Sequence, residues 1–439
     1  MKSQLKSYKL LLLLLIGMLL AGCAGLGQAP IPTPTPIPLS PEELADEFEY
    51  AWHEVSFDDL IPDDLDVELA QCWNGMGMDD QGRIYIGFTS TRDGGKSEDF
   101  VVFRYDPATE QREFLGTFQD VAAANDNLQE EESIPKGHTR MVFADGVMYM
   151  GSQGFHDFKQ EIDDLPKYRG SHIFAYDTRT ESWLDLSASL PGGVVTEHQG
   201  IVGLNILRNE GLLVGLVHPH SDLALYDYKN RELVNVVPGI PWELGNPLSR
   251  EVVVAPSGNI YSYRGTEEPF QRRESHPVWV YNIHTGEMKQ TDYNMTNGFW
   301  IGQTETRDGS KIYVTTVNGQ LYEFDTATEA FKDLGYMLPS EDIAAGRLIQ
   351  FQYGPTLSPD ETKILFVPST LENPQGTGEL YEYDIATGKI TYIQQLPIGI
   401  YTSADLRDEK NIYLAHFGSQ ENLWSGRVRL MVITVATEP

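Results

Sequence analysis

Cysteine is almost missing from this chain: only Cys23 and Cys72 occur in 439 residues. Cys23 follows an N-terminal leader, which leaves Cys72 alone in the body, so an internal disulfide framework is excluded. Cys72 reads as a small buried apolar residue. Basic residues are scarce as well, with 32 Lys and Arg against 64 Asp and Glu and a formal charge of −32. Such a body repels polyanions at long range, which argues against nucleic acid and means that an anionic sugar needs a local basic pocket. No Ser nucleophile elbow, phosphate-binding glycine loop or paired-cysteine zinc site is found.

The chain has one apolar run, residues 10–20, and it is too short for a comfortable membrane-spanning helix. Lys2, Lys6 and Lys9 precede it and the small pair Ala21-Gly22 follows, the order of a secretion signal. Leu20-Ala21-Gly22-Cys23 resembles the lipobox of bacterial lipoproteins, which implies cleavage after residue 22, lipidation of Cys23 and an extracytoplasmic, membrane-anchored body. Residues 23–42 form a tether in which alternating prolines forbid both helix and sheet ladder. At about 3.1 Å per residue its polyproline stretch reaches on the order of 40 Å. Ser40-Pro41-Glu42-Glu43 supplies a cap, a first-turn proline and a capping-box glutamate, so a short helix is expected to open the body over 43–439. The acidic run Asp58, Asp59, Asp63, Asp64, Asp66 and Glu68 lacks the spacing and glycine of a calcium loop and reads as a solvated segment.

The body repeats. A turn residue followed by a short apolar strand recurs at Gly82-Arg83-Ile84-Tyr85, Gly146-Val147-Met148-Tyr149, Gly211-Leu212-Leu213-Val214, Gly258-Asn259-Ile260-Tyr261, Gly309-Ser310-Lys311-Ile312-Tyr313, Lys363-Ile364-Leu365-Phe366 and Asn411-Ile412-Tyr413-Leu414. A second unit, an aromatic residue with Asp or Asn opening a Thr- or Gly-closed turn, follows at Tyr105-Asp106, Tyr176-Asp177, Tyr226-Asp227, Tyr281-Asn282, Phe324-Asp325 and Tyr383-Asp384. This is hairpin chemistry. Each repeat therefore predicts a four-stranded antiparallel blade, and the fold class is all-β: a seven-bladed β-propeller, monomeric, behind the signal and proline-rich linker. The seventh repeat lacks an outer strand after residues 429–435, and a strand from the segment near Phe48 to Phe57 is expected to complete it.

In such a ring the loops after second strands and between blades open on one face. His138 and His198 lead into inner strands, and His156, His172, His218, His220, His276 and His416 lie in or beside loops after second strands; only His53 and His284 fall elsewhere. That face is the expected working face. On it the sequence gathers Gly137-His138-Thr139-Arg140, the long loop over 151–171 with His156, Lys159, Lys167, Tyr168 and Arg169, then His198-Gln199, His218-Pro219-His220, Arg264, Arg272, Arg273 and His276.

Gly137-His138, then Tyr149-Met150-Gly151-Ser152, His156 and Tyr168-Arg169-Gly170-Ser171-His172, is similar to a stretch of propeller polysaccharide lyases of the ulvan-lyase type. The resemblance covers residues 137–217. It implies β-elimination on a uronic acid, with His138 or His156 as base or carboxylate partner, Tyr168 as acid or base, and Arg169 or Arg264 as carboxylate clamp. Where that family's tyrosine is sought, in the strand opening blade three, this chain has Gly200-Ile201-Val202, which leaves Tyr168 or a histidine to take the role. His218-Pro219-His220 sets two imidazoles on one side of an extended loop, with His198-Gln199 in the adjacent one. These residue types resemble the divalent-ion site of propeller oligogalacturonate lyases and suit zinc or manganese; no other cofactor is implied. Two readings of function follow: a lyase for an acidic glycan, or a non-catalytic propeller that binds a glycan or a protein partner.

Overall fold

The computed structural model describes residues 50–91, 97–130, 132–154, 168–240, 249–264, 275–296, 298–419 and 427–435. The signal, the tether, Cys23 and the expected helix after Ser40 lie outside these residues. Among the described residues no helix is long and apolar enough to cross a membrane.

Among the described residues seven antiparallel sheets follow one another along the chain, each with an inner, a second, a third and an outer strand, and a small two-stranded sheet pairs Ile349–Phe351 with Ser369–Thr370. In blade one the second strand is Ile84–Thr91, and two short segments, Glu68–Gln71 and Met76–Met78, share its inner edge. Blade two runs Val142–Ala144, Val147–Gly151, Ile173–Asp177, Ser182–Asp185; blade three Gly200–Leu207, Leu212–His218, Leu223–Asp227, Glu232–Val237. Blade four runs Val253–Val254, Asn259–Tyr263, His276–Asn282, Glu287–Met295; blade five Trp300–Glu305, Lys311–Thr316, Gln320–Asp325, Ala330–Tyr336. Blade six has Thr356–Leu357, Lys363–Phe366, Glu379–Asp384 and Ile390–Gln395, and blade seven Ile400–Arg407, Asn411–Phe417 and Arg429–Val435. The outer strand of blade seven is Tyr50–Val55, paired antiparallel to Arg429–Val435 from Tyr50↔Val435 to Val55↔Leu430, as the sequence led us to expect.

The aromatic-Asp units act as read. Asp177 accepts from the backbone N–H groups of Arg179 and Thr180 at 2.9 and 3.1 Å, and Asp227 from those of Lys229 and Asn230 at 2.9 and 2.8 Å. The carboxylate closes the turn. The aromatic residue before it is buried: Tyr176, Tyr226 and Phe324 are each at most 2% exposed. Second strands are buried on both faces, as in Leu213 through His218, so the apolar surface of each blade must meet a neighbour. Seven apolar clusters result, one at every junction between successive blades, the last joining blades seven and one through Phe57, Phe88, Phe103, Tyr413 and Leu430.

Closure relies on Tyr50, which is 2% exposed and packs with Leu365, Leu380 and Met431, while its hydroxyl donates to Glu382 Oε2 at 2.7 Å. Tyr50→Ala is therefore expected to destabilise the protein by about 3 kcal/mol, in the range for aromatic truncation in a core. Urea unfolding followed by circular dichroism measures this, and an unchanged midpoint rules out Tyr50–Val55 as the strand that closes the ring.

Candidate functional site

The residues that lead into the inner strands converge around one mouth. Trp73 of blade one lies parallel to the His138 imidazole of blade two, with ring centres 6.0 Å apart and an interplanar angle of 9°. Tyr353 of blade six and Phe417 of blade seven meet the Trp73 ring edge-on at 5.1 and 4.8 Å. Arg250 of blade four places Nη1 3.2 Å from His138 Nε2 and its guanidinium 6.0 Å from the ring centre of Phe299 in blade five. Its backbone N–H donates to Trp300 O at 2.8 Å, which fixes where the side chain starts.

This cluster is positive. Guanidinium only donates, so His138 Nε2 is the acceptor and the imidazole carries its proton on Nδ1. Burial, then the charges of Arg250 and Lys136, holds the His138 pKa well below its ordinary value, so the ring stays neutral. Burial and Arg250 push Lys136 down to about 8. His218 adds a further nearby imidazole. Among the described residues Arg250 meets no carboxylate, whereas Arg83, Arg104, Arg112, Arg347 and Arg407 each do.

Beneath the mouth the ring axis is lined with buried polar groups. Glu251 lies 3.6 Å from Arg140 and accepts from Asn74 Nδ2 at 3.3 Å, and burial pushes its carboxyl up to about 7. Arg140 Nη2 also donates to the Gln303 carbonyl at 3.1 Å. Toward the far face Arg407 pairs with Asp405 at 2.6 Å and Glu361 at 2.8 Å, and Asp405 accepts from the Glu305 N–H at 2.8 Å.

Of the residues nominated from sequence, His138 reaches the mouth and His218 stands close to it. His156, Arg272 and Arg273 lie outside the described residues. Tyr168 is 4% exposed and its hydroxyl donates to the Ser152 carbonyl at 3.2 Å, while burial raises its pKa far above the ordinary phenol value. Arg169 is held by Glu132 at 3.3 Å, the Gly192 carbonyl at 2.6 Å and the Asn127 carbonyl at 2.7 Å. Arg264, pushed down to about 10 by burial, reaches from blade four to brace the turn after His218, donating to Pro219 O at 2.9 Å and Ser221 Oγ at 3.0 Å. All three are tied into local scaffolding. Gln199 does approach the histidine turn, accepting from the His220 N–H at 3.4 Å. Yet among the described residues no three His, Cys, Asp or Glu side chains gather as a metal site, so His198, His218 and His220 do not form one with such a partner.

Arg250, Trp73 and Tyr353 belong to the mouth although no sequence motif marks them. A signal for them was present: each stands just before an inner strand, in the position that His138 occupies in blade two. Aligning the repeats at that position, rather than collecting histidines, identifies the mouth.

A second buried network is built around His172 of blade two. His172 Nδ1 lies 2.9 Å from Asp185 Oδ2, its Nε2 lies 3.6 Å from Glu132, and Asn127 Nδ2 donates to the same Asp185 oxygen at 2.7 Å. Burial opposes the imidazolium, but Asp185 and Glu132 outweigh it and raise the His172 pKa above 6.5.

No family model and no curated protein matches the chain. Solved structures do match. The β-propeller domain of Cps50 (Swd1) from Myceliophteria thermophila is similar at a TM-score of 0.51 and 11% identity, over 84% of this chain and 98% of that one. A chain of the Mitotic Checkpoint Complex is similar at a TM-score of 0.50 and 10% identity, over 94% of this chain and 100% of that one. Likeness at such identities establishes the fold alone, a β-propeller.

Because the folded-state pKa of His172 is raised, its stabilisation is complete below 6.5 and is lost as pH climbs through the raised value. The unfolding midpoint of the wild type is thus expected to fall on titration upward from about pH 6, with His172→Gln destabilised throughout but lacking that component of the slope. Parallel slopes for the two proteins in thermal unfolding across this range disprove a charged His172.

Proposed function

We propose that this protein is an extracytoplasmic propeller, lipid-anchored through Cys23, whose mouth binds a carboxylate-bearing saccharide. One observation carries the reading: in a chain with 64 acidic and 32 basic residues, Arg250 stands at the ring centre without a carboxylate partner among the described residues. Arg250 is half-buried, and a cation partly withdrawn from water is costly to leave without an acid unless a ligand supplies the charge. Guanidinium matches a carboxylate in a bidentate fork, and Lys136 adds a second cation beside it. The half-buried Trp73 supplies aromatic surface for the apolar face of a sugar ring, with Tyr353 packed behind it.

A second reading, β-elimination on that ligand, is favoured by the neutral His138 at the side of Arg250. A substrate carboxylate that engages Arg250 releases the lone pair of His138 Nε2. That nitrogen then takes the proton from the carbon next to the carboxylate, the electron pair forms the carbon–carbon double bond, and the glycosidic oxygen departs with a proton from Lys136. The similarity to a chain of the Mitotic Checkpoint Complex supports an alternative occupant of a propeller face, another protein.

Calorimetric titration of the purified protein with ulvan, pectate, alginate and glycosaminoglycan oligomers tests the binding. At least one is expected to bind, and Arg250→Ala is expected to weaken it roughly tenfold to a hundredfold, the worth of one charged hydrogen-bonded contact. Ultraviolet absorbance of an unsaturated uronate reports elimination, which His138→Ala is expected to abolish while binding persists. Absence of binding to every acidic oligomer sinks the glycan reading, and a co-purifying protein lost in Arg250→Ala then replaces it. Cys23→Ser is expected to move the protein from the membrane to the soluble fraction.

A further inference from the structure

The outer strands of the blades differ in one respect. In blades one, three, five and six the outer strand skips a single residue against the third strand, as where Leu225↔Asn235 is followed by Tyr226↔Leu233. In blade four Pro277 pairs with Asn294 and Trp279 with Gln290, so Val278 alone faces Thr291, Asp292 and Tyr293. Blade four therefore carries a wider bulge in the longest outer strand, the nine residues Glu287–Met295. The bulge is pinned: Thr291 Oγ1 donates to the Val278 carbonyl at 2.9 Å and accepts from the Tyr293 N–H at 3.2 Å. Bulges of this kind re-aim side chains and cluster at functional sites.

All three bulged residues line a cavity of about 740 Å³, together with Asn259, Tyr261, Asn282 and Gln290. That is a size typical of ligand sites. Its floor is organised in advance. Glu329 of blade five accepts from Tyr261 Oη at 2.5 Å and Asn259 Nδ2 at 2.6 Å, and Asn282 Nδ2 donates to Asn259 Oδ1 at 2.7 Å. Asn259 and Asn282 flank the turns that open on the rim opposite the mouth.

The geometry points to a binding site for a neutral oligosaccharide in this cavity. The half-buried Tyr293 ring offers a face for a sugar ring and the exposed Gln290 amide pairs a donor with an acceptor as hydroxyls require, above a floor held by Tyr261, packed on Phe324 and Phe331, and by the Asn259 and Asn282 amides. The lining carries one lysine, Lys289, and two carboxylates, Glu287 and Asp292, so it bears no positive excess to draw an acidic glycan. The site does not depend on the mouth or on the function proposed for it.

Native gel electrophoresis through gels holding glucomannan, xyloglucan, mixed-linkage glucan or starch tests this on the full chain. At least one of these is expected to retard the protein. Gln290→Ala and Tyr293→Ala should each weaken that retardation at least tenfold, and Arg250→Ala should leave it unchanged. Tyr293 also packs on Phe331, with ring centres 5.4 Å apart, so Tyr293→Phe keeps the packing and is expected to retain binding. Gln290 is exposed, so Gln290→Ala is decisive if Tyr293→Ala fails to fold. No retardation in any gel, retardation indifferent to Gln290→Ala, or retardation lost in Arg250→Ala each overturns the proposal.

Discussion

A blade whose second strand is apolar on both faces cannot exist alone, and everything else in this molecule follows from that constraint. Each face must be covered, and stacking in a closed ring covers both without leaving a first or last blade exposed. Seven apolar clusters at seven junctions are the physical form of that solution. The ring holds only if its two ends meet, which is the task of Tyr50–Val55 on Arg429–Val435.

Closure also makes the mouth. Inner strands run side by side around the axis, so a side chain just ahead of each strand is carried to a common centre whatever its distance along the chain. Trp73, His138, Arg250 and Tyr353 are brought together in this way from four blades. The acidic excess stays elsewhere, and Glu251 lies buried lower along the axis, where burial pushes its carboxyl up. A positive centre inside a negative body focuses the field on a small anion while the exterior turns away large ones.

Much of the architecture was legible because it is carried by local, repeated chemistry. Tyr176-Asp177 and Tyr226-Asp227 declare their turns by residue type, and the missing outer strand after Val435 could be inferred by counting. The site was only half legible. His138 is marked both by its residue type and by its place before an inner strand, whereas Arg250 and Trp73 share only the place. Tyr168, Arg169 and Arg264 have the right chemistry for catalysis and spend it on Ser152, Glu132, Asn127 and Ser221. Residue type states what a side chain can bond, and only the packed structure states what it has bonded already.

The pairing of Tyr50 with Val435 has a consequence for how the molecule is made. Among the described strands the first, Tyr50–Val55, has no partner until the last, Arg429–Val435, has followed it, so the loop it closes spans nearly all of the described residues. Contacts so distant in sequence form slowly. Until then the strand edge at each end stands open, an invitation to pair with a neighbouring copy. Folding of this protein therefore favours a chain kept apart from its siblings, or held by a chaperone, until Arg429–Val435 is free to pair.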